Sequence, residues 1–343
     1  MENNISFLEK LKIFLEQKVT KSRTGQLIVM LIATTVFFSI FEPDFLRMKT
    51  LKSMLLQMSE LGILTIGVFI CILVVGLNTS VTASMNLSAL AAATVVLNFA
   101  DKSMPDSQIY LIIVGAFVAS MAVGLLTGIV NGLAIGYLGL PPLLATIGSA
   151  FLFTGINKAI TKGESQFGFP IQVGVLAGGE VFGIPIPFLL FLGISVIMFF
   201  VLRYTKFGYK MFMTGANETT AIYSGINTKD VKFKTFVISG LLAAFPAMII
   251  LGRTMSANYD YGVNTYVLFT IFVAIISGSR NGFGEVINVL LAMFVLQNLQ
   301  TGFNYMLQGV SAGGFFRDFI WGVLLIAFLI VNYFTNVRKT ETN

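Results

Sequence analysis

Histidine is absent from the 343 residues, cysteine occurs once, at Cys71, and charged residues make up only 11% of the chain. Without histidine the usual zinc, haem and general-base chemistry has no ligands or bases to work with. A lone cysteine permits no intrachain disulfide and implies nothing about redox compartment. Soluble domains carry roughly 25% charged residues, so water is not the main solvent of this chain. No Gly-x-x-x-x-Gly-Lys-Ser/Thr loop is present, and no Gly-Lys pair occurs anywhere, so nothing in the chain cradles nucleotide phosphates. Acids inside apolar runs are nearly missing too. Only Glu60 and Asp318 qualify, both near expected span ends, where pairing with a lysine or snorkelling to the surface is the expected structural role. That scarcity weighs against ion-coupled secondary transport, and the lack of paired carboxylates within one span weighs against a membrane-embedded enzyme.

What the chain does have is hydrophobic bulk, 56% of all residues and 33 phenylalanines among them. Lipid, unlike water, does not require that bulk to be hidden. Apolar segments fall near 26–41, 55–77, 85–99, 109–136, 142–160, 184–202, 233–252, 266–279, 286–303 and 315–334. They predict an all-α polytopic membrane protein of about ten transmembrane helices, occupying residues 24–335. Segments 85–99 and 266–279 are short for upright crossings and adjoin glycine and polar breaks, which predicts broken or re-entrant helices there.

The net charge of +6 does not point to nucleic acid, because the basic residues lie in loops and tails between apolar runs. With both termini placed in the cytoplasm, 14 of the 22 lysines and arginines fall inside. The cluster from Arg47 to Lys52 runs against that bias. No cleavable signal peptide is expected, since residues 1–23 are charged and interrupted. Read as a helix, they gather Phe7, Leu8, Leu11, Phe14 and Leu15 on one face, suited to a cytoplasmic membrane surface; a solvated tail is the alternative. Residues 336–343 are expected to form a cytoplasmic tail. Two connections exceed simple turns: Thr161 to Gly183, rich in glycine and proline and expected outside, and the basic, polar stretch 203–232, expected inside.

Three features are candidates for function. In the fourth span Ala116, Ser120, Gly124, Gly128, Gly132 and Gly136 recur every fourth residue, a groove into which another helix backbone can come close, in this chain or a second copy. Between the second and third spans, Gly76 to Ser84 combines helix breaking with amides and hydroxyls. Asn78 and Ser80, with Asn86 just beyond, can replace water around a neutral polyhydroxylated solute, or the stretch can be a plain turn; composition serves both readings equally. The third feature is the basic loop itself.

The order of segments from about Leu51 to Asn332 resembles the permease subunits of bacterial ATP-binding-cassette importers for ribose and similar sugars, within the branched-chain amino acid/ribose permease family. The run Gly139, Leu140, Pro141, Pro142, Leu143, Leu144, Ala145, Thr146, Ile147 and Gly148, followed by Gly155 and by Thr161, Lys162 and Gly163, is similar to that family's Gly-x-Pro-Pro-Phe-x-x-Thr-Leu-Gly element. Phe207, Gly208, Gly215, Asn217, Glu218, Ala221, Ser224, Gly225 and Ile226 resemble the loop those permeases insert into their ATPase subunit. Gly302, Phe303, Asn304 and then Phe315 to Gly322 resemble the start of the last helix. The chain departs from the family at Asn78, where an acid is usual, in the shortened stretch Ser277 to Gly284, and at Thr220, where a small alanine is usual.

The resemblance implies a transport subunit in a bacterial inner membrane that moves a small polar solute, a sugar or sugar-like molecule, by alternating access. A nucleoside or sugar-like signal is the alternative cargo within the same family. It implies as partners a cytoplasmic ATPase subunit reached through Gly215, Asn217, Glu218, Ala221, Ser224, Gly225 and Ile226, an extracytoplasmic solute-binding protein, and a second permease copy, identical or different. Beyond membrane lipid, no cofactor, metal or nucleic acid is expected.

Overall fold

The computed structural model describes residues 22–101, 104–308, 319–327 and 330. The N-terminal surface helix, Asp318, most of the last expected span and the tail lie outside the described residues. Among those described, eight helices are long and apolar enough to cross a membrane and one shorter apolar helix accompanies them. In chain order they are α1 (Arg23–Phe41), α2 (Met48–Val74), α3 (Val81–Phe99), α4 (Asp106–Gly132) and α5 (Pro142–Thr161). A short 3-10 turn (Ile171–Gly174), α6 (Val175–Gly178) and a hairpin of β1 (Glu180–Val181) and β2 (Ile184–Pro185) fill the expected outer connection. Then follow α7 (Ile186–Tyr204), the paired short helices α8 (Lys206–Ala216) and α9 (Glu218–Tyr223), α10 (Thr228–Thr254), the short α11 (Thr265–Ser277) and α12 (Val286–Met306). The chain is an all-α polytopic membrane protein, its only strands being that hairpin among the described residues.

The chain forms two compact units. In the first, made of residues up to 54, 272–278 and 287 onward, α1 is fixed by polar contacts to α11 and α12. Arg23 Nε donates to the Ile276 carbonyl at 2.8 Å, and the Asn298 amide donates to the Thr35 hydroxyl at 2.7 Å. Phe38 stacks edge-on against Phe303.

The second unit, residues 55–271 and 279–286, is built around α3, α4 and α10. The glycine ladder of α4 lies against α10 of the same chain. A Cβ added at Gly124 would stand 2.6 Å from the Gly240 carbonyl oxygen, at Gly128 2.8 Å from that of Phe236, at Gly132 2.8 Å from that of Phe233 and at Gly136 2.7 Å from that of Lys229. Nothing larger than hydrogen fits these four positions, so the two backbones touch. Ser120 extends the seam by donating its hydroxyl to the Ala244 carbonyl at 3.2 Å.

The expected short third span is a full 19-residue helix, because the chain turns at Gly76 (φ 144°) and helix begins at once at Val81. The other short segment stays short: α11 has 13 residues, a rise of about 20 Å.

Glu60 corrects the sequence reading. Because α2 begins at Met48 rather than near residue 55, Glu60 is not at a span end but about 18 Å along a helix of about 40 Å. It is fully buried and its partner is an arginine, not a lysine. Arg253, in the last turn of α10, donates from Nε to Glu60 Oε1 at 2.5 Å and from Nη2 to Oε2 at 2.9 Å. Nη2 also donates to the Tyr261 hydroxyl at 2.6 Å, and the Tyr266 hydroxyl donates to Glu60 Oε2 at 3.2 Å. The two hydroxyls are 3.2 Å apart. Since Tyr266 commits its single proton to Glu60, Tyr261 donates to Tyr266, and the four groups close a ring.

Two expected outcomes follow from these seams. Gly128→Leu should lower the yield and the thermal transition of folded protein in detergent, whereas Gly115→Leu, at a glycine with nothing within 4 Å, should leave both unchanged. Glu60→Gln strands the Arg253 charge and should destabilise the fold by about 3–5 kcal/mol, with Glu60→Leu combined with Arg253→Leu recovering most of the loss in a double-mutant cycle.

Candidate functional site

The turn after α2 places neighbouring side chains on opposite sides. Asn78 and Ser80 point inward: both are buried, and every partner lies within the protein. Asn78 Nδ2 donates to the Ser239 hydroxyl of α10 at 3.0 Å, while its Oδ1 accepts from the Ser80 hydroxyl at 2.8 Å and the Ser80 amide at 3.2 Å. Asn131 of α4 donates to the Ser80 hydroxyl at 2.8 Å and accepts from Ser149 of α5. The polar stretch is thus a junction that ties three helices, α4, α5 and α10, to one turn.

Thr79, between them, faces out. Its amide donates to the Thr146 hydroxyl at 3.2 Å, and its own hydroxyl lies 3.0 Å from that group. With Phe151 and Thr154 of α5 and Val263, Asn264 and Leu268 at the start of α11, it lines a cleft of about 370 Å³. Asn86 serves this cleft from behind. It is buried, and its amide donates to the Tyr261 carbonyl at 3.1 Å and the Tyr259 carbonyl at 3.4 Å, fixing the irregular segment that leads to Asn264. The same segment is held by paired backbone bonds between Gln166 and Ala257 and by the Lys158 ammonium 5.9 Å over the Tyr259 ring.

The expected coupling residues occupy α8, α9 and the turn after them. Asn217 caps α9, its side chain accepting from the Thr220 amide at 3.0 Å. Gly225 ends it with φ 78°, a conformation that side-chain-bearing residues avoid. Glu218 accepts from Lys232 Nζ at 2.6 Å and from the Thr228 hydroxyl at 3.1 Å, pinning α9 to the start of α10. Partial burial pushes the Glu218 carboxyl up, but the hydrogen bond and charge of Lys232 and the Thr228 bond outweigh it, holding the group below the ordinary glutamate value.

The seven residues do not share one face. Ala221 is fully buried and Ile226 is buried beside it, because α9 is amphipathic and these positions turn toward its own chain. A Cβ on Gly215 would collide with the Leu73 carbonyl and the Gly282 amide, so this glycine marks where the segment presses on the end of α2. Gly282 seals that contact by donating its amide to the Leu73 carbonyl at 2.8 Å. The outward face carries Asn217, Glu218, Ser224 and Gly225 of the expected set, alongside Thr219, Thr220, Ile222 and Tyr223, the last 89% exposed.

A match to the family model described as branched-chain amino acid transport system / permease component covers residues 50–330. The chain is 26% identical over 305 residues to the D-allose transport system permease protein of Escherichia coli K12, covering 88% of this chain and 89% of that protein. It is 29% identical over 300 residues to the ribose import permease protein of Bacillus subtilis 168, covering 86% and 88%. With the galactose/methyl galactoside import permease protein of E. coli K12 it shares 26% over 332 residues, covering 94% and 97%. No solved structure matches the chain. The helix order, the junction at Asn78 and the paired helices α8 and α9 therefore belong to a multi-pass transport component, and the chain is a member of the branched-chain amino acid transport system permease family.

Proposed function

We propose that this chain is the membrane-spanning permease subunit of an ATP-driven importer of a sugar, with ATP hydrolysed on a separate chain docked at α8 and α9. The relatives named above are all named for sugars, which supports the cargo class. The observation that carries the coupling mechanism is the seat of α8 at Gly215. Its backbone meets the Leu73 carbonyl at the end of α2, and six residues further along the chain Thr79 lines the cleft.

A displacement of α8 and α9 by an ATPase would therefore reach the cleft through one turn of backbone. The short helices are rigid enough to move as a piece, being capped by Asn217, closed by Gly225 and tied to α10 through Glu218. Alternating access follows when that movement favours, in turn, a cleft open to one side of the membrane and then the other. Under this reading residues 203–232 and both termini face the cytoplasm across an inner membrane, a solute-binding protein delivers cargo at the opposite face, and a second permease copy completes the pathway. Glu60, the buried acid of the described spans, is engaged by Arg253, so the group an ion-coupled carrier would need is already occupied.

The test separates docking from folding. Ile222→Glu and Tyr223→Glu should leave folded yield unchanged, since both side chains are exposed, while abolishing co-purification with the ATPase chain and ATP-dependent uptake. A charge forced into a desolvated interface without a partner costs several kcal/mol. Ala221→Arg should instead reduce folded protein, its site being closed. Wild-type uptake in both glutamate variants would remove the coupling assignment. The purified chain alone should hydrolyse no ATP, and specific hydrolysis by it would contradict the division of labour.

A further inference from the structure

Two polar side chains in the second unit have no hydrogen-bond partner among the described residues and open on the same space. They are the Thr154 hydroxyl of α5 and the Asn264 amide just before α11, both lining the cleft at Thr79. A threonine inside a helix ordinarily returns its hydroxyl to the carbonyl four residues back, as Thr94 and Thr235 do here at 2.8 Å. Thr154 does not. Beside it the Phe151 ring is 75% exposed, and no charged side chain lines the cleft.

Lipid, an apolar ligand and a hydroxylated solute can be compared as occupants of such a wall. Lipid is the worst, because unpaired amide and hydroxyl groups facing hydrocarbon cost several kcal/mol each. A purely apolar ligand would leave the same groups unmet. A neutral solute with several hydroxyls and an apolar ring face meets all of them, its hydroxyls bonding Asn264 and Thr154 and its C–H face lying on Phe151.

Backbone geometry favours the same occupant. The helix α11 rises only about 20 Å, against roughly 30 Å of hydrocarbon, and its first turn is bonded through Tyr266 to the interior of α2 at Glu60. The non-helical segment ahead of it therefore enters the membrane region, where irregular backbone is tolerated only when buried in protein or lining a water-filled cavity. Asn86 and the Glu60–Arg253–Tyr261–Tyr266 ring hold its first part by hydrogen bonds, and Val263 and Asn264 are left at the cleft.

We infer that Thr154, Asn264 and Phe151 form a sugar-binding subsite on the translocation path, with Thr79 as its moving edge. The inference rests on the sugar-importer reading above and adds the residues that meet the cargo. The test uses the complete reconstituted transporter carrying Thr154→Cys, Asn264→Cys or Phe151→Cys in a Cys71→Ser background. Each is labelled with a small water-soluble methanethiosulfonate reagent, with and without saturating D-ribose, D-allose or D-galactose. Labelling should proceed at all three positions, and the transported sugar should slow it at least tenfold, while L-glucose should leave it unchanged. If the wild-type complex imports one of the three sugars and that sugar slows no position, the subsite is overturned while the permease reading stands. Failure of all three cysteines to label from water overturns it as well. If the wild-type complex imports none of them and none protects, the sugar reading falls and takes the subsite with it.

Discussion

Inside a bilayer every backbone N–H and C=O has to find its partner within the protein, and this chain meets that constraint most visibly where it stops being helical. At the turn after α2, Asn78 accepts from the Ser80 amide. In the segment between α10 and α11, Asn86 takes up the carbonyls of Tyr259 and Tyr261. In the short turn before α12, the Gly282 amide reaches the Leu73 carbonyl. Each break is stitched to a different long helix, so the polar side chains that look like candidates for solute contact are first of all the groups that allow the breaks to exist. Solute chemistry falls to what remains, the groups with no backbone to serve.

That division explains what could be read from the residues and what could not. Nine of the ten apolar segments correspond to the helices named above, and the described part of the tenth, residues 319–327, is helical too, because burial in lipid is a property of composition alone. The glycine spacing of α4 announced a close helix contact, yet no local signal says which helix fills the groove. Asn78 and Ser80 were legible as special, but their direction was not. A turn sends alternate side chains to opposite sides, and the sequence carries no mark of which side is open. Glu60 lost its partner through two residues. Ending the span at 252 put Arg253 in a loop, while the helix runs to Thr254. A single buried acid needs a counter-charge, and an arginine at the edge of an apolar run was the signal available. Which face of α9 turns inward was not legible for a related reason, since a six-residue helix is too short for periodicity to show it. Thr154 and Asn264 left no motif at all; they stand out only once the fold is seen to bring them to one cleft.

The long helix α2 joins the functional parts. Its end carries the press of Gly215, its interior carries the Glu60 ring that holds the cleft segment, and the turn that follows it supplies Thr79. A single rigid element thus touches the segment at Gly215, the anchor of the irregular segment and the cleft. Its rotation or translation would be felt at all three without any long chain of side-chain rearrangements.

The glycine seam sets the kinematics. Backbone rests on backbone at Gly124, Gly128, Gly132 and, just past the end of α4, Gly136, with Gly240 answering from the other side, so the clearance from α10 is nil along about three turns. Such a joint behaves like a rack meshed with its mate. Sliding by less than a full tooth drives carbonyl oxygens into α-carbons, and separation exposes a strip too narrow for a lipid tail to fill. A joint of this kind holds α4 and α10 together as one rigid member, whereas α5 meets its neighbours through the hydroxyls of Thr146 and Ser149.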